Sequence, residues 1–166
     1  MNGYTGGLLE ADVFPSVGHQ ARAREYVTYS QAMMAWELVR NNQPWNPSEP
    51  TGWAGDFHSE VCLALGLKDW ADLCLFSAVG SVLDWHGTDA WFELAGARVT
   101  LDVTANPAKL NGYKADFIVP PAAVEDPFER GELAATIAAE LQRLRQEAEA
   151  KERRPRSRLV RRRIGA

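Results

Sequence analysis

Cysteine is scarce in this chain, with only Cys62 and Cys74 among 166 residues. Both lie in apolar surroundings, EVCLAL and DLCLFS, where a cysteine usually acts as a small buried hydrophobe. We therefore expect two free thiols, with neither a disulfide nor a zinc site. This use of cysteine fits a reducing cytoplasm.

Long hydrophobic runs are missing as well. No segment approaches the ~20 apolar residues that cross a bilayer, and the N-terminus lacks the basic start and apolar core of a secretory signal. The composition, 46% hydrophobic and 24% charged, is that of an ordinary globular protein. We expect a cytoplasmic protein without membrane contact, in which residues 1–150 form a single domain.

Positive charge is rare except at the C-terminus. Residues 151–166 carry eight basic side chains and one acid, a net charge of +7, so the rest of the chain carries −11 of the overall −4. An arginine-rich tail attracts phosphate backbones, but such tails also bind proteins or stay disordered. We expect a disordered tail that binds nucleic acid through Arg153, Arg154, Arg156, Arg158, Arg161, Arg162 and Arg163.

Two helices and a tryptophan-bearing loop are predicted in the first part of the chain. Apolar spacing predicts a helix over 21–41, followed by the proline-rich segment NQPWNPSEPTGWAGD. Trp45 and Trp53 in that loop are interpreted as a clamp on the core, or alternatively as a platform for bases. Asp56 is predicted to cap a second helix that ends near Gly66.

Strands dominate the middle of the chain. LCLFSAV, TDAWFEL, ARVTLDVT and ADFIVPP each read as a strand, and Ala95-Gly96 joins the second and third as a tight hairpin. A long helix is predicted from about Pro127 to Arg154, with apolar positions every three or four residues. The expected fold is a mixed α/β domain, a small sheet of about four strands flanked by helices. The long helix also offers a surface for a homodimer.

Acidic side chains on two neighbouring predicted strands are the main functional signal. Asp89 opens the second strand, and Asp102 lies between leucine and valine in the third. A carboxylate in an apolar strand is costly unless it is paired or bound to a metal. The hairpin brings the two aspartates together, so they are predicted ligands of Mg²⁺ or Mn²⁺. The alternative is that Asp89 caps a helix or turn after Gly87 and that Asp102 is held by hydrogen bonds to Thr100, Thr104 or backbone amides. Glu60 is a further predicted ligand or base, and Lys109 is predicted to stabilise phosphate charge.

Two residues near this constellation have simpler interpretations. Asp84 is interpreted as a turn residue that caps the Trp85-His86-Gly87 bend. His86 is a loop residue or a proton shuttle.

The order of acids and elements resembles the PD-(D/E)XK nuclease superfamily over about residues 55–120. Asp89 in HGTDAWF matches the first acid of the motif, Asp102 in VTLDVT the second, and Glu60 in FHSEVCLALGL the acid of the first helix. The resemblance implies an αβββαβ core and Mg²⁺-dependent cleavage of DNA, in a superfamily active in restriction, repair, recombination and phage biology.

One position departs from that pattern. The superfamily lysine normally lies two residues past the second acid, where this chain has Thr104, so Lys109 would act from a displaced position. The expected activity is a nuclease that hydrolyses phosphodiester bonds. The alternative is an inactive nuclease-like fold, for example a phage-encoded one, that binds nucleic acid or protein as an accessory module.

Overall fold

A computed structural model of the chain describes residues 13–106 and 114–154. Four strands are present there: β1 (Leu73–Ser77), β2 (Ala90–Leu94), β3 (Ala97–Val103) and β4 (Phe117–Val119). The α-helices are α1 (Tyr29–Met34), α2 (Trp36–Arg40), α3 (Gly52–Leu65), α4 (Val82–Trp85), α5 (Pro121–Glu125) and α6 (Pro127–Arg153). Short 3-10 turns span His19–Ala21 and Trp70–Asp72.

The strands form one mixed sheet in the order β1-β2-β3-β4. β1 and β2 are antiparallel, as are β2 and β3, whereas β4 runs parallel to β3. The expected mixed α/β fold with a four-stranded sheet and a long C-terminal helix is therefore confirmed. The segment 107–113, in which the resemblance places the second core helix, lies outside the described residues.

The predicted hairpin at Ala95-Gly96 is confirmed. Leu94 pairs with Ala97, which leaves a two-residue loop between β2 and β3. Ala95 has φ 48° and Gly96 has φ 83°, and the type I′ turn that joins strands in this way needs positive φ at both positions. The turn thus sets the register of the two strands that carry the aspartates.

Helices α3 and α6 cover one face of the sheet. Their apolar side chains pack against every second residue of the strands, because successive strand residues point to opposite faces. The buried residues of this core include Phe57, Val61, Ile137 and Leu141 from the helices and Leu75, Phe92, Val99 and Leu101 from the strands. The C-terminal end of α6, from Gln146 on, is exposed.

Helices α1 and α2 and the chain before them cover the opposite face. Phe76 and Trp91, the strand residues that alternate with the first core, are buried there together with Val17 and Val39. Trp36 packs edge-on against Trp91 with ring centroids 4.4 Å apart. The sheet therefore lies between two helical layers.

The predicted helix over 21–41 is wrong in its first third. The α-helical structure begins only at Tyr29, where Thr28 and Gln31 form a capping box, and it is divided at Ala35 into α1 and α2. The preceding chain is held by bonds to distant residues: the Ala23 N–H donates to the Gly80 carbonyl, and His86 binds the Val27 carbonyl. Tertiary hydrogen bonds thus override the helical spacing of this segment.

The second predicted helix starts earlier than expected. Asp56 is not its cap, because α3 already begins at Gly52, whereas the predicted end at Gly66 is confirmed by a left-handed φ of 65°. A β-carbon at Gly55 would lie 2.6 Å from the Pro50 carbonyl oxygen. Glycine there lets the first turn of the helix continue directly from the proline-rich loop. No helix in the described residues is long and apolar enough to cross a membrane.

Candidate functional site

Asp89 lies immediately before β2 and is only 1% exposed. Its N–H donates to the Leu101 carbonyl at 2.8 Å, and its carbonyl accepts from the Ala78 N–H at 2.7 Å. The carboxylate Oδ2 accepts the Val103 N–H at 2.7 Å. The side chain thus extends the hydrogen bonding between β2 and β3 by one more bond, with its carboxylate held at the end of the sheet.

Asp102 lies in β3, which has β2 on one side and β4 on the other. It pairs with Ile118 of β4, and continuing the register Ala90↔Leu101 by one residue places it opposite Asp89. It is 4% exposed, as expected from its apolar neighbours. The Asp89 carboxylate bonds the amide of the residue that follows Asp102, so Asp89 and Asp102 lie on adjacent chain segments at this end of the sheet.

Glu60 is engaged elsewhere. Its two carboxylate oxygens accept from Nε and Nη2 of Arg130 at 3.0 and 2.9 Å. This bidentate ion pair joins α3 to α6, and the bond to Glu60 raises the pKa of Arg130. In residues 13–106 and 114–154, no three His, Cys, Asp or Glu side chains form a group that could hold a metal ion. Glu60 is therefore not grouped with the two aspartates.

Thr104, which occupies the expected lysine position, is buried and has a structural role. Its N–H donates to the Val119 carbonyl at 3.3 Å, and its Oγ1 accepts from the Asn106 N–H at 3.0 Å. Lys109 lies outside the described residues, as do the predicted nucleic-acid ligands beyond Arg154. Arg153 is the last residue of α6, and Arg154 follows it.

Asp84 and His86 both stabilise the turn before β2. Asp84 belongs to α4 and accepts the N–H of Gly80, upstream of it, at 2.8 Å. The prediction that Asp84 caps the bend that follows it is therefore wrong, because its carboxylate bonds a residue that precedes it in the chain. His86 is buried and its Nε2 lies 2.8 Å from the Val27 carbonyl. Because a carbonyl only accepts, this nitrogen carries the proton.

Trp45 and Trp53 anchor the loop and the start of α3. Each indole N–H is used by the protein itself, donating to the Leu75 carbonyl at 2.9 Å and the Val124 carbonyl at 3.2 Å, respectively. Both rings also meet Phe14 edge-on. The clamp interpretation is supported by these contacts, and the platform interpretation is not.

A network around Glu93 was not found by sequence reasoning. Both of its oxygens accept from Arg40 at 2.6 Å, and one also accepts from Trp91 and Arg98. Burial alone would raise the pKa of Glu93, but the bonds from Arg40 and Trp91 outweigh burial and lower it. The sequence does place Glu93 and Trp91 on one strand face, but Arg40 lies 53 residues away.

A cleft of about 360 Å³ lies beside α3, lined in part by His58, Ser59, Asp69 and Trp70. Burial lowers the pKa of His58, whose Nε2 donates to the Leu73 carbonyl at 2.8 Å. Cys62 lies next to it and is also buried, which raises the pKa of its thiol to about 11. A thiol this weakly acidic is not a nucleophile at neutral pH. Both cysteines are free, as predicted.

Comparison with known proteins identifies no relative of this chain. No family model matches the chain, and no curated protein or solved structure is significantly similar to it. The resemblance to the PD-(D/E)XK superfamily therefore stays a prediction.

Proposed function

We propose that the chain is a metal-dependent hydrolase of phosphodiester bonds in nucleic acid, with DNA as its substrate. One observation carries the proposal: two buried aspartates lie at the same end of the sheet, Asp102 in β3 and Asp89 immediately before β2, with the Asp89 carboxylate bonded to the amide that follows Asp102. The described elements α3, β1, β2, β3 and β4 support it, because β1 to β3 are antiparallel and follow a helix, as in the first part of the αβββαβ core. The second helix of that core falls in residues 107–113, outside the described part of the chain.

The chemistry of the two aspartates suits Mg²⁺. Both offer carboxylate oxygens, which this hard cation prefers, and Mg²⁺ commonly binds proteins through one or two carboxylates while keeping several waters. When bound, the ion supplies a polarised phosphoryl oxygen and a more acidic water. Two protein carboxylates are therefore a sufficient donor set, and Glu60 is not needed as a third.

The chain itself contributes position and charge. The Val103 N–H fixes the Asp89 carboxylate, and pairing with β4 fixes the backbone of Asp102. Lys109 is proposed to stabilise the charge that develops on phosphate, and the basic tail to bind the backbone at a distance. The −11 charge of residues 1–150 repels a polyanion, so the tail and the ion together allow the substrate to approach.

Titration calorimetry with Mg²⁺ and with Mn²⁺ tests the proposal. We expect saturable heats for the wild type, and their loss in Asp102→Asn, which keeps the size of the side chain but removes its charge. Asp72→Asn, at an exposed aspartate, is the matched control and keeps the heats. Cleavage of plasmid DNA follows the same pattern. A wild type that binds neither ion contradicts the proposal.

A second candidate is a nuclease-like fold that binds nucleic acid or protein without hydrolysing it. Thr104 in the lysine position and the Glu60–Arg130 ion pair favour this candidate, because each replaces an expected catalytic role by a structural one. DNA binding without metal heats or cleavage would support it. Loss of cleavage in Lys109→Gln with metal heats retained would instead support the hydrolase and the displaced lysine.

A further inference from the structure

An exposed aromatic cluster lies on the layer formed by α1, α4 and the segment between residues 22 and 28. Tyr26, Tyr29 and Trp85 are 72%, 58% and 44% exposed. The rings of Tyr26 and Trp85 are nearly parallel, 11° apart in orientation with centroids separated by 6.3 Å. Three large aromatic side chains that gather at the surface mark an interaction site more often than a single exposed one does.

The cluster is held in place by the fold. The buried His86 lies beneath it, 5.5 Å from the Tyr26 ring and 5.8 Å from the Tyr29 ring. Its imidazole bonds the Val27 carbonyl, and the Ala23 N–H bonds Gly80, so two hydrogen bonds fasten the segment to the α4 turn. The aromatic surface is therefore formed before any partner binds, which lowers the entropy cost of binding.

Positive charge lies beside the aromatic rings. A groove of about 310 Å³ adjoins the same segment, and its lining includes two arginines and one acid, Arg22, Arg24 and Glu25, besides Val27, Gln31 and Leu38. Arg22 donates from Nε to the Val17 carbonyl. This bond fixes the orientation of its guanidinium group. Two arginines close together on the strongly acidic part of the chain complement an anion at this place.

The cluster is also near the two aspartates along the chain. Trp85 precedes Asp89 by four residues, a stretch that spans at most about 14 Å. Aromatic faces next to arginines match the two parts of a nucleotide, because every base has a face that stacks and every phosphate accepts from guanidinium. In a duplex the base faces are covered by neighbouring pairs, which makes unpaired bases the fitting partner.

We infer that Tyr26, Tyr29 and Trp85 form a stacking platform for unpaired bases of single-stranded nucleic acid, with Arg22 and Arg24 binding the adjoining phosphates, an inference that rests on the proposed function. The platform places single-stranded chain beside the aspartates and so defines the substrate as a single strand or a frayed end.

Fluorescence anisotropy with a labelled oligo-dT of about 12 nucleotides tests the platform, with the full chain in EDTA. Tyr26→Ala and Trp85→Ala each weaken binding about tenfold, the size expected for the loss of one stacked base. Trp85→Phe retains most of the affinity because it keeps a ring. Phe128→Ala removes an equally exposed aromatic residue from α6 and leaves binding unchanged. Unaltered melting temperatures show that the variants are folded.

The salt dependence separates stacking from charge. Arg22→Gln with Arg24→Gln lowers the slope of log affinity against log salt by about 0.7 for each phosphate that is no longer neutralised, whereas the aromatic variants keep the wild-type slope. The inference is overturned if both aromatic variants bind oligo-dT as the wild type does, or if they lose affinity for a blunt duplex equally. It is also overturned if they change only self-association in sedimentation.

Failure of the platform and failure of the hydrolase give different results. The binding assay contains no divalent ion, so a chain that cleaves nothing with Mg²⁺ but loses oligo-dT affinity in Tyr26→Ala contradicts the hydrolase alone. If cleavage requires Asp102 but oligo-dT affinity is the same in Tyr26→Ala and Trp85→Ala as in the wild type, only the platform is contradicted.

Discussion

Buried and half-buried ionisable side chains are stabilised in this molecule in three different ways. Glu93 keeps its charge because Arg40 and Arg98 face it. Asp89 accepts a backbone amide at the end of a strand. His58 donates to the Leu73 carbonyl, and burial lowers its pKa. The bonds from Arg40 to Glu93 favour the charged form of that side chain, whereas burial of His58 favours the neutral form.

The pKa of His58 leads to a pH dependence of folding. The unfolded chain takes up a proton on this histidine near pH 6.5, whereas the folded chain resists it, since burial lowers the pKa. Stability rises with pH wherever the unfolded state binds more protons. The His58 contribution is therefore fully present above about pH 6.5 and is lost as the pH falls toward the lower folded value.

Thermal unfolding of wild type and His58→Gln between pH 8 and pH 5 checks this expectation. The wild type loses melting temperature more steeply below about pH 6.5 than the variant, which carries no titrating group at this position. His19→Gln, at an exposed histidine, controls for the loss of a histidine in general. Parallel pH profiles for the wild type and His58→Gln would contradict the prediction.

At the same scale, sequence reasoning identifies residues by their immediate neighbours only. Asp102 stands out because leucine and valine flank it, and it is indeed buried. The partner of Glu60 lies 70 residues away, at Arg130, and no local pattern reveals it. Trp45 and Trp53 share one predicted loop, but the second is part of a helix. Side-chain partners in three dimensions are the part that the sequence cannot supply.

At the scale of elements, boundaries are predictable where local rules decide them. The four strands, the hairpin and α6 follow from alternation, a two-residue turn and a proline after Asp126, which caps the helix by accepting the Phe128 N–H. The prediction of a helix over 21–41 is wrong at its start because distant hydrogen bonds hold residues 23 and 27 in a non-helical conformation. Those bonds depend on Gly80 and His86, which a local pattern does not consider.

The Glu60–Arg130 ion pair is expected to hold α3 against α6. Both side chains are largely shielded, with 26% and 14% of their surface exposed, and the geometry is bidentate. We expect Glu60→Gln to lower the free energy of unfolding by about 1–2 kcal/mol, between the values for exposed pairs and for buried charged hydrogen bonds. Chemical denaturation of the two single variants and of the double variant with Arg130→Gln measures the coupling.

The exposed pair Glu140–Arg143 within α6 provides the matched control. Breaking it with Glu140→Gln changes the free energy of unfolding much less than Glu60→Gln does, as for other helix-surface pairs. Metal titration of Glu60→Gln tests whether Glu60 is also a ligand of the metal ion. Unchanged heats assign Glu60 to the helix contact, whereas their loss would restore its predicted role as a ligand.

At the scale of the whole molecule, the uneven distribution of charge is the dominant feature. The +7 tail supplies the long-range attraction for a polyanion, because the rest of the chain carries a net charge of −11. The C-terminal end of α6, from Gln146 on, is exposed, and it carries the start of the tail beyond the core residues Ile137 and Leu141. A homodimer through this helix stays a prediction.

Deleting residues 151–166 is expected to weaken DNA binding and to reduce its salt dependence. The slope of log affinity against log salt falls by about 0.9 for each duplex phosphate that the tail no longer neutralises. Retention on heparin and anisotropy at two salt concentrations measure the change, and substitution of the tail arginines by lysine is the control that keeps the charge. If the truncated chain kept the wild-type slope, the tail would have another partner.

The turn at Ala95-Gly96 has a practical consequence for all these experiments. Alanine sits there in a left-handed conformation that costs a residue with a β-carbon roughly 1–2 kcal/mol, and asparagine or glycine tolerates it better. A substitution of Ala95 at this solvent-exposed turn is therefore expected to raise the free energy of unfolding. An Ala95→Asn background would let the interior acids be replaced one at a time while the scaffold stays folded.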